Sequence, residues 1–167
     1  MAGNTENAAV WGGADVVISR DLTATVHETA AEFALDADWE FVGLLDGGQG
    51  FEEAIGVEST DHSAWGYGVI ATTYKGQKTT KTFTALEDNE VTMGLKYDVS
   101  GATFDVDGGF VSGDLGVRDH TERVKVAFIT TSGTRTKVMA TKAYATIMPT
   151  SAGSESEEAL ASSSFTA

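Results

Sequence analysis

The chain of 167 residues is long enough for one domain with a buried core, and its lack of cysteine excludes disulfides, thiolate nucleophiles and cysteine metal sites. Its 11 Lys and Arg against 25 Asp and Glu give a formal net charge of −14, so tight binding of nucleic-acid phosphates is not expected. An acid excess that only keeps the protein soluble is the plainer interpretation of this charge. The 19 glycines against one proline favour many turns, as in an all-β protein.

The first 13 residues predict a mobile arm, because they are small, polar and contain glycine. Trp11 is the large apolar side chain of this arm, and it fits an anchor on a neighbouring subunit as well as a latch onto its own domain. The arm lacks the regions of a secretory signal, and no stretch approaches the ~18 apolar residues of a membrane span. We therefore expect a soluble protein made in the cytoplasm, with no membrane partner.

The first strands are predicted from short apolar and alternating runs. Asp15–Ile18 is an apolar run, and the alternation of WEFVGLL predicts a strand over Trp39–Leu45. Between them, Leu22–Phe33 mixes β-branched residues with an Ala-rich segment that fits either a strand or one helical turn. Asp46-Gly47-Gly48 ends the second strand, because these residues accept backbone angles that strands do not.

A long acidic, glycine-rich excursion is predicted from Asp46 to Ser63 as a hairpin or flap that ends in the turn Asp61-His62-Ser63. Its apolar side chains are exposed between acids and glycines, and such a density of exposed apolar groups in a long loop indicates a surface for a partner. The candidate contact residues are Asp46, Phe51, Glu52, Glu53, Ile55 and Val57.

Two further strands and a helix are predicted next. Ala64–Tyr74 alternates as a long strand, Lys75–Lys78 is predicted to be a hairpin turn, and Thr79–Leu86 is predicted to return and pair with the first strand. From Leu86 to Lys96 the period changes to that of a helix, with acids in the first turn and a lysine in the last.

The remainder is predicted as a loop, a hairpin and a tail. Gly101–Gly116 is predicted to be a loop with short strand potential, and Arg123–Met148 a hairpin turned at Ser132-Gly133. After Pro149 the sequence is small and polar, which fits a disordered tail or an arm that orders on a partner. The predicted organisation is a flexible arm over 1–13, a β domain over 14–149 and a C-terminal arm or tail over 150–167.

The sequence predicts no catalytic, cofactor or metal site, so an enzyme is the least favoured class. His27, His62 and His120 lie far apart in polar contexts, without a spacing that places two ligands on one face. Asp105–Gly109 begins like a calcium loop, but its twelfth position is Gly116 in place of a glutamate, which favours an ordinary turn. The glycine-rich loop after the second strand lacks the Gly-Lys-Ser of a phosphate site.

Four motifs follow one another between Ala34 and Tyr97. They are a strand over Phe33–Leu45, an Asp-Gly turn followed by acids over Asp46–Glu53, an aspartate before a tryptophan strand over Asp61–Gly66, and a T-F-T-x-L-E-x-N strand entering a helix from Thr82 to Asn89. In this order they resemble the major tail protein, or tail tube protein, of long-tailed noncontractile bacteriophages. The hairpin Arg123–Ile147 follows the resemblance more loosely.

The resemblance implies a mainly β fold, a sandwich or barrel-like tail tube domain with one short helix, a long stacking loop over Asp46–Ser63 and extended terminal arms. It implies a structural protein of the virion tail, whose copies form stacked hexameric rings with an acidic lumen that lets DNA pass without specific binding. Implied partners are further copies of the chain, the tape measure protein and tail terminator or tip proteins. The alternative is an extracellular acidic β-sandwich binding module, an adhesin or capsid decoration protein, with or without a dependence on calcium.

Overall fold

A computed structural model describes residues 10–48, 50–150, 154–156 and 159–167. In these residues the chain is mainly β, with antiparallel sheets, which confirms the predicted class. Its elements in chain order are β1 (Gly13–Ser19), α1 (Ala30–Leu35), β2 (Glu40–Phe41), β3 (Glu52–Ala64), β4 (Gly68–Ala85), α2 (Glu90–Lys96), β5 (Tyr97–Phe104), β6 (Phe110–Val117), β7 (Lys125–Ser132), β8 (Arg135–Ala140), β9 (Met148–Pro149), β10 (Ser154–Ser156) and β11 (Ala159–Thr166).

Two sheets share one hydrophobic core. The strand order is β2-β1-β7-β8 in the first sheet and β10-β11-β4-β3 in the second, while β9 pairs with β11 and β5 pairs with β6. Alternation along β1 sends Val16 and Ile18 into this core and Val17 to the opposite face. The buried side chains of the core come from both sheets and from α2, and include Val16, Ile18, Phe83, Leu95, Val126, Phe128 and Phe165.

The segment that contains α1 covers the other face of the first sheet. Phe33 of α1 is fully buried and meets the Trp39 ring edge to face at 4.9 Å. Trp39 in turn donates from Nε1 to the carbonyl oxygen of Thr25 at 2.9 Å. Thr29 and Glu32 form a reciprocal capping box. This cap explains why the Ala-rich segment, for which the sequence allowed either a strand or a helical turn, is helical over Ala30–Leu35.

The predicted helix after the long strands is present as α2, but it begins at Glu90 and not at Leu86. Asn89 sets this start, because its side chain accepts from the Thr92 N–H at 2.9 Å. The same side chain donates to the carbonyl oxygen of Val42 at 2.9 Å, which ties the helix to the first sheet. The cap therefore has both a local and a tertiary role.

The central hairpin differs from its predicted layout. Asp61-His62-Ser63 lies inside β3, and the chain turns at Trp65–Tyr67, where the Tyr67 N–H donates to the carbonyl oxygen of Ala64 at 3.0 Å. The predicted turn at Lys75–Lys78 is a bulge within β4, since Val57 pairs with Gln77 while Glu58 pairs with Lys75.

The two segments predicted to pair with each other are consequently one 18-residue strand that pairs with β3. Gly76, at the bulge, has a φ of +53°. A glycine with positive φ is the mark of a tight turn and also of a bulge, so the sequence does not distinguish them. Gly101–Gly116, predicted to be a loop with short strand potential, lies within the hairpin β5–β6.

The end of the chain belongs to the sandwich, so its interpretation as a tail or arm that waits for a partner is wrong for β11. Phe165 is 0% exposed and stacks on Phe83 with ring centroids 5.3 Å apart. The Ala167 N–H donates to the carbonyl oxygen of Lys81, and the Lys81 N–H donates back to that of Ala167. β11 is rich in serine and inserts into the sheet with one inward aromatic side chain. Its low apolar content is the reason why the sequence did not indicate a strand. In the N-terminal arm, residues 1–9 lie outside the described residues, and β1 begins at Gly13.

Candidate assembly surface

The long hairpin β3–β4 leaves the body of the protein between residues 54 and 79, a part that we call the distal hairpin. All its residues except Ala64 are exposed. A two-stranded ribbon has little stability of its own in water without a further strand or a packed face. The distal hairpin is therefore a projection with strand geometry and no covering layer among the described residues.

One face of the distal hairpin continues the inner face of the sandwich. Phe51 and Phe83 point into the core, and alternation by twos carries the same face outward to Ile55 and Val57 on β3. Ile55 and Val57 remain 59% and 56% exposed. Past the bulge, Tyr74 joins this face opposite Ser59. The face carries these apolar side chains among polar ones, and no opposing sheet covers it among the described residues.

The other face of the distal hairpin is polar. Glu58 on β3 stands opposite Lys75, and Gly56 stands opposite Lys78. At the tip, the side chains of Trp65 and Tyr67 are almost completely exposed. A projection with one apolar face, one charged face and an aromatic tip has the features of a contact element for another polypeptide.

The predicted contact residues occupy different environments in the structure. Ile55 and Val57 lie on the exposed apolar face, as the exposed apolar pattern predicted. Phe51 belongs to the core instead, where its ring meets that of Phe128 edge to face at 5.1 Å. Glu53 pairs with Lys81 at 2.8 Å, whereas Glu52 is exposed.

Asp46 is part of a turn, and its carboxylate accepts from the Gly48 N–H at 2.8 Å. Other exposed apolar residues of the distal hairpin were missed as contacts, because the predicted turn at 61–63 ended the excursion too early. The glycines around Tyr67 were the available signal for the true tip, since Gly66 and Gly68 both have positive φ. The missed residues are Trp65, Tyr67, Val69, Ile70 and Tyr74.

Trp11 lies at the mouth of a cavity of about 510 Å³ between the two sheets. The cavity is also lined by Phe51, Phe128 and Met139, and Trp11 itself is 38% exposed. The next residue, Gly12, donates from its N–H to the carbonyl oxygen of Thr131 at 2.9 Å. The tryptophan thus stands beside its own sandwich while keeping part of its ring accessible.

Lys81 marks the boundary between the sandwich and the distal hairpin. Its ammonium nitrogen lies 2.8 Å from the Glu53 carboxylate, 3.3 Å from the Met139 sulfur and 5.1 Å from the centroid of the Phe128 ring. The hydrogen bond and charge of Lys81 hold the pKa of Glu53 below its ordinary value. A charged pair therefore stands where the apolar core gives way to the projection.

The titratable groups offer no constellation for chemistry in the described residues. His27 lies 2.8 Å from Asp36, and this hydrogen bond lowers the pKa of the Asp36 carboxyl. The described part of the chain contains no group of three or more His, Cys, Asp or Glu residues able to hold a metal ion. In the loop with calcium-like spacing, the Asp105 carboxylate accepts from the N–H groups of Asp107 and Gly109, as in an Asp-Gly turn.

No family model and no curated protein sequence matches the chain. Among the described residues, none of the helices has the length and apolar character that a membrane crossing requires. The function is therefore inferred from the geometry and charge of this chain.

Proposed function

We propose that the chain is a structural subunit that assembles with copies of itself, as the tube protein of a bacteriophage tail, and that it has no catalytic role. The observation that supports this most is the core-like apolar face that continues from the sandwich into the exposed distal hairpin. Burying such a face against another copy would remove its apolar area from water. In this proposal the virion tail is where the protein acts.

The distal hairpin would be the stacking element of this tube. It includes Ile55 and Val57 from the predicted stacking loop, and it extends to the tip at Trp65. A contact in which the projection of one copy meets a different surface of the next is heterologous, and such a contact repeats along an axis without closing. Hexameric rings, and contacts with the tape measure and tail terminator or tip proteins, are part of the proposal by resemblance.

The net charge of −14 suits a tube that conducts DNA. A wall that is negative overall repels phosphates, so DNA would pass through the lumen without being held. The chain's acids outnumber its bases by 25 to 11. The alternative, an extracellular binding module that depends on calcium, is less favoured, because the Asp105 carboxylate already accepts two N–H groups of its own turn.

Electron microscopy of the concentrated, negatively stained protein tests the proposal. We expect rings or tubes with a bore wide enough for duplex DNA. A matched variant would replace residues 57–77 by an Asn-Gly turn, which joins the paired positions Gly56 and Lys78 by a favoured two-residue hairpin connection. This variant keeps the sandwich and should remain monomeric with an unchanged melting temperature. A parent chain that stays monomeric at high concentration, or tubes formed by the shortened variant, would contradict the proposal.

A further inference from the structure

Charge is segregated along the second half of the chain. Between Tyr97 and Val117 the charged residues are all aspartates, whereas from Arg123 to Thr150 they are all bases. The bases of the second stretch make up five of the 11 in the chain, and no Asp or Glu accompanies them. The aspartates are Asp98, Asp105, Asp107 and Asp114, and the bases are Arg123, Lys125, Arg135, Lys137 and Lys142.

The acidic stretch is the projecting hairpin β5–β6, in which most side chains are exposed. Val106, between two aspartates at its tip, is 100% exposed. Asp107 and Asp114 form no salt bridge among the described residues. The hairpin therefore presents an exposed apolar side chain flanked by negative charge, to which a positively charged surface with an apolar lining would be complementary.

A groove of about 960 Å³ opens where β4 runs past the end of β8. Its charge is opposite in sign to that of the acidic hairpin. Its charged lining side chains are Lys78 and Lys81, of which Lys81 is paired with Glu53, and no Asp or Glu among the described residues lines it. Tyr144 and Met148 supply apolar surface to the lining, and both remain about half exposed. Lys142, which is exposed and follows the lining residue Thr141, adds positive charge at the rim.

We propose that the groove receives the tip of hairpin β5–β6 from a second copy of the chain. Val106 enters between Tyr144 and Met148, while Asp107 at the tip and Asp114 on β6 face Lys78 and Lys142. The two surfaces differ, so each copy donates a tip and accepts one, and the contact repeats without closing on a pair. The inference rests on the proposed self-assembly and adds a second contact, distinct from that of the distal hairpin.

Charge exchange tests this contact, with assembly followed by light scattering and electron microscopy. The acid-reversed variant carries Asp107→Lys and Asp114→Lys, which moves the net charge from −14 to −10. The base-reversed variant carries Lys78→Glu and Lys142→Glu, which moves it to −18. Combining the four changes restores −14 and exchanges the signs of the two surfaces. All four positions are exposed, so the melting temperature should not change.

We expect the concentration needed for assembly to rise at least about tenfold in each reversed variant, because like charges placed face to face repel. The fourfold variant should return close to the parent. The acid-reversed variant is the decisive case, since its smaller net charge would favour non-specific association. Its control, Glu28→Lys with Asp38→Lys, also has a net charge of −10 but changes exposed residues near α1, and should assemble at least as well as the parent.

The failure of this contact and the failure of self-assembly give different results. If the parent forms rings or tubes and both reversed variants assemble at the parent's concentration, the contact is wrong and the proposed function stands. If the fourfold variant assembles no better than the reversed variants, charge complementarity is likewise excluded. A parent chain that remains monomeric overturns both proposals.

Discussion

The sandwich and the distal hairpin contain the same strands but bury them differently. In the sandwich, β4 contributes Phe83, which is 2% exposed between the two sheets. Farther along the same strand, Tyr74 and Val69 are largely exposed, although the strand keeps its pairing with β3. Backbone pairing therefore continues where side-chain burial stops. The apolar residues of the distal hairpin contribute little to the fold of one chain, which is why we propose that they contact another copy.

The largest loss of stability is expected from removing the aromatic anchor of the last strand. Phe165→Ala should lower the free energy of unfolding by about 3–5 kcal/mol, because the stack on Phe83 is replaced by a cavity in the core. Urea unfolding followed by far-ultraviolet circular dichroism measures this. Phe165→Leu, which fills most of the space, should lose less. An unchanged midpoint in Phe165→Ala would mean that β11 is not part of the folded body.

The next effect is expected at the junction of α2 with the first sheet. Asn89→Ala removes the cap of the helix and should cost about 1–2 kcal/mol. Asn89→Asp keeps an acceptor for Thr92 but loses the donor to the Val42 carbonyl oxygen, and it places a carboxylate beside that of Glu87, which lies 3.2 Å from the Asn89 amide nitrogen. Thermal melting compares the two variants. A clearly smaller loss in Asn89→Asp would indicate that the cap matters more than the contacts of the amide nitrogen.

The body of the fold was easier to predict from the sequence than the projections. A short apolar run identified β1, alternation identified the terminal hairpin, and the change of period identified α2, because burial in the fold imposes its pattern on each of these sequences. The turns of the central hairpin were misplaced at Asp61-His62-Ser63 and at Gly76, since local turn chemistry alone decided them. The position of a hairpin turn depends on which residues of the two strands pair with each other. An exposed ribbon has no buried face, so it places little constraint on this register.

The candidate contact surface was predicted only in part for the same reason. Exposed apolar residues between acids pointed to Ile55 and Val57, and the structure leaves both exposed. Phe51, with the same pattern around it, is packed in the core, because the sandwich ends between residues 51 and 55 and nothing local marks that edge. The tertiary arrangement determines the point at which a sheet loses its opposing layer. The alternation within one strand does not reveal that point.

The stability contributed by the Glu53–Lys81 pair, where the sandwich meets the distal hairpin, should decrease in acid. Because Lys81 holds the pKa of Glu53 below its ordinary value of about 4.3, the carboxylate stabilises the fold above that pH, and the contribution is lost as the pH falls through the lowered pKa. Glu53→Gln should therefore be less stable than the parent at pH 7, by less than the Asn89→Ala loss. The difference should be smaller at pH 3 than at pH 7. Urea midpoints at the two pH values measure it, and a difference that persists in acid would assign the effect to packing.

The smallest effect is expected in the distal hairpin, and it separates the two regions most sharply. Val57→Thr together with Val69→Thr keeps β-branched side chains, so strand propensity is retained, and exposed positions should shift the stability by no more than ~0.5 kcal/mol. The same exchange at Val126, which is 0% exposed, buries an unpartnered hydroxyl and should cost about 1–3 kcal/mol. Chemical denaturation of dilute, monomeric protein makes the comparison. If the hairpin pair costs as much as Val126→Thr, the projection packs against its own body in solution, and its apolar face is not available for another copy.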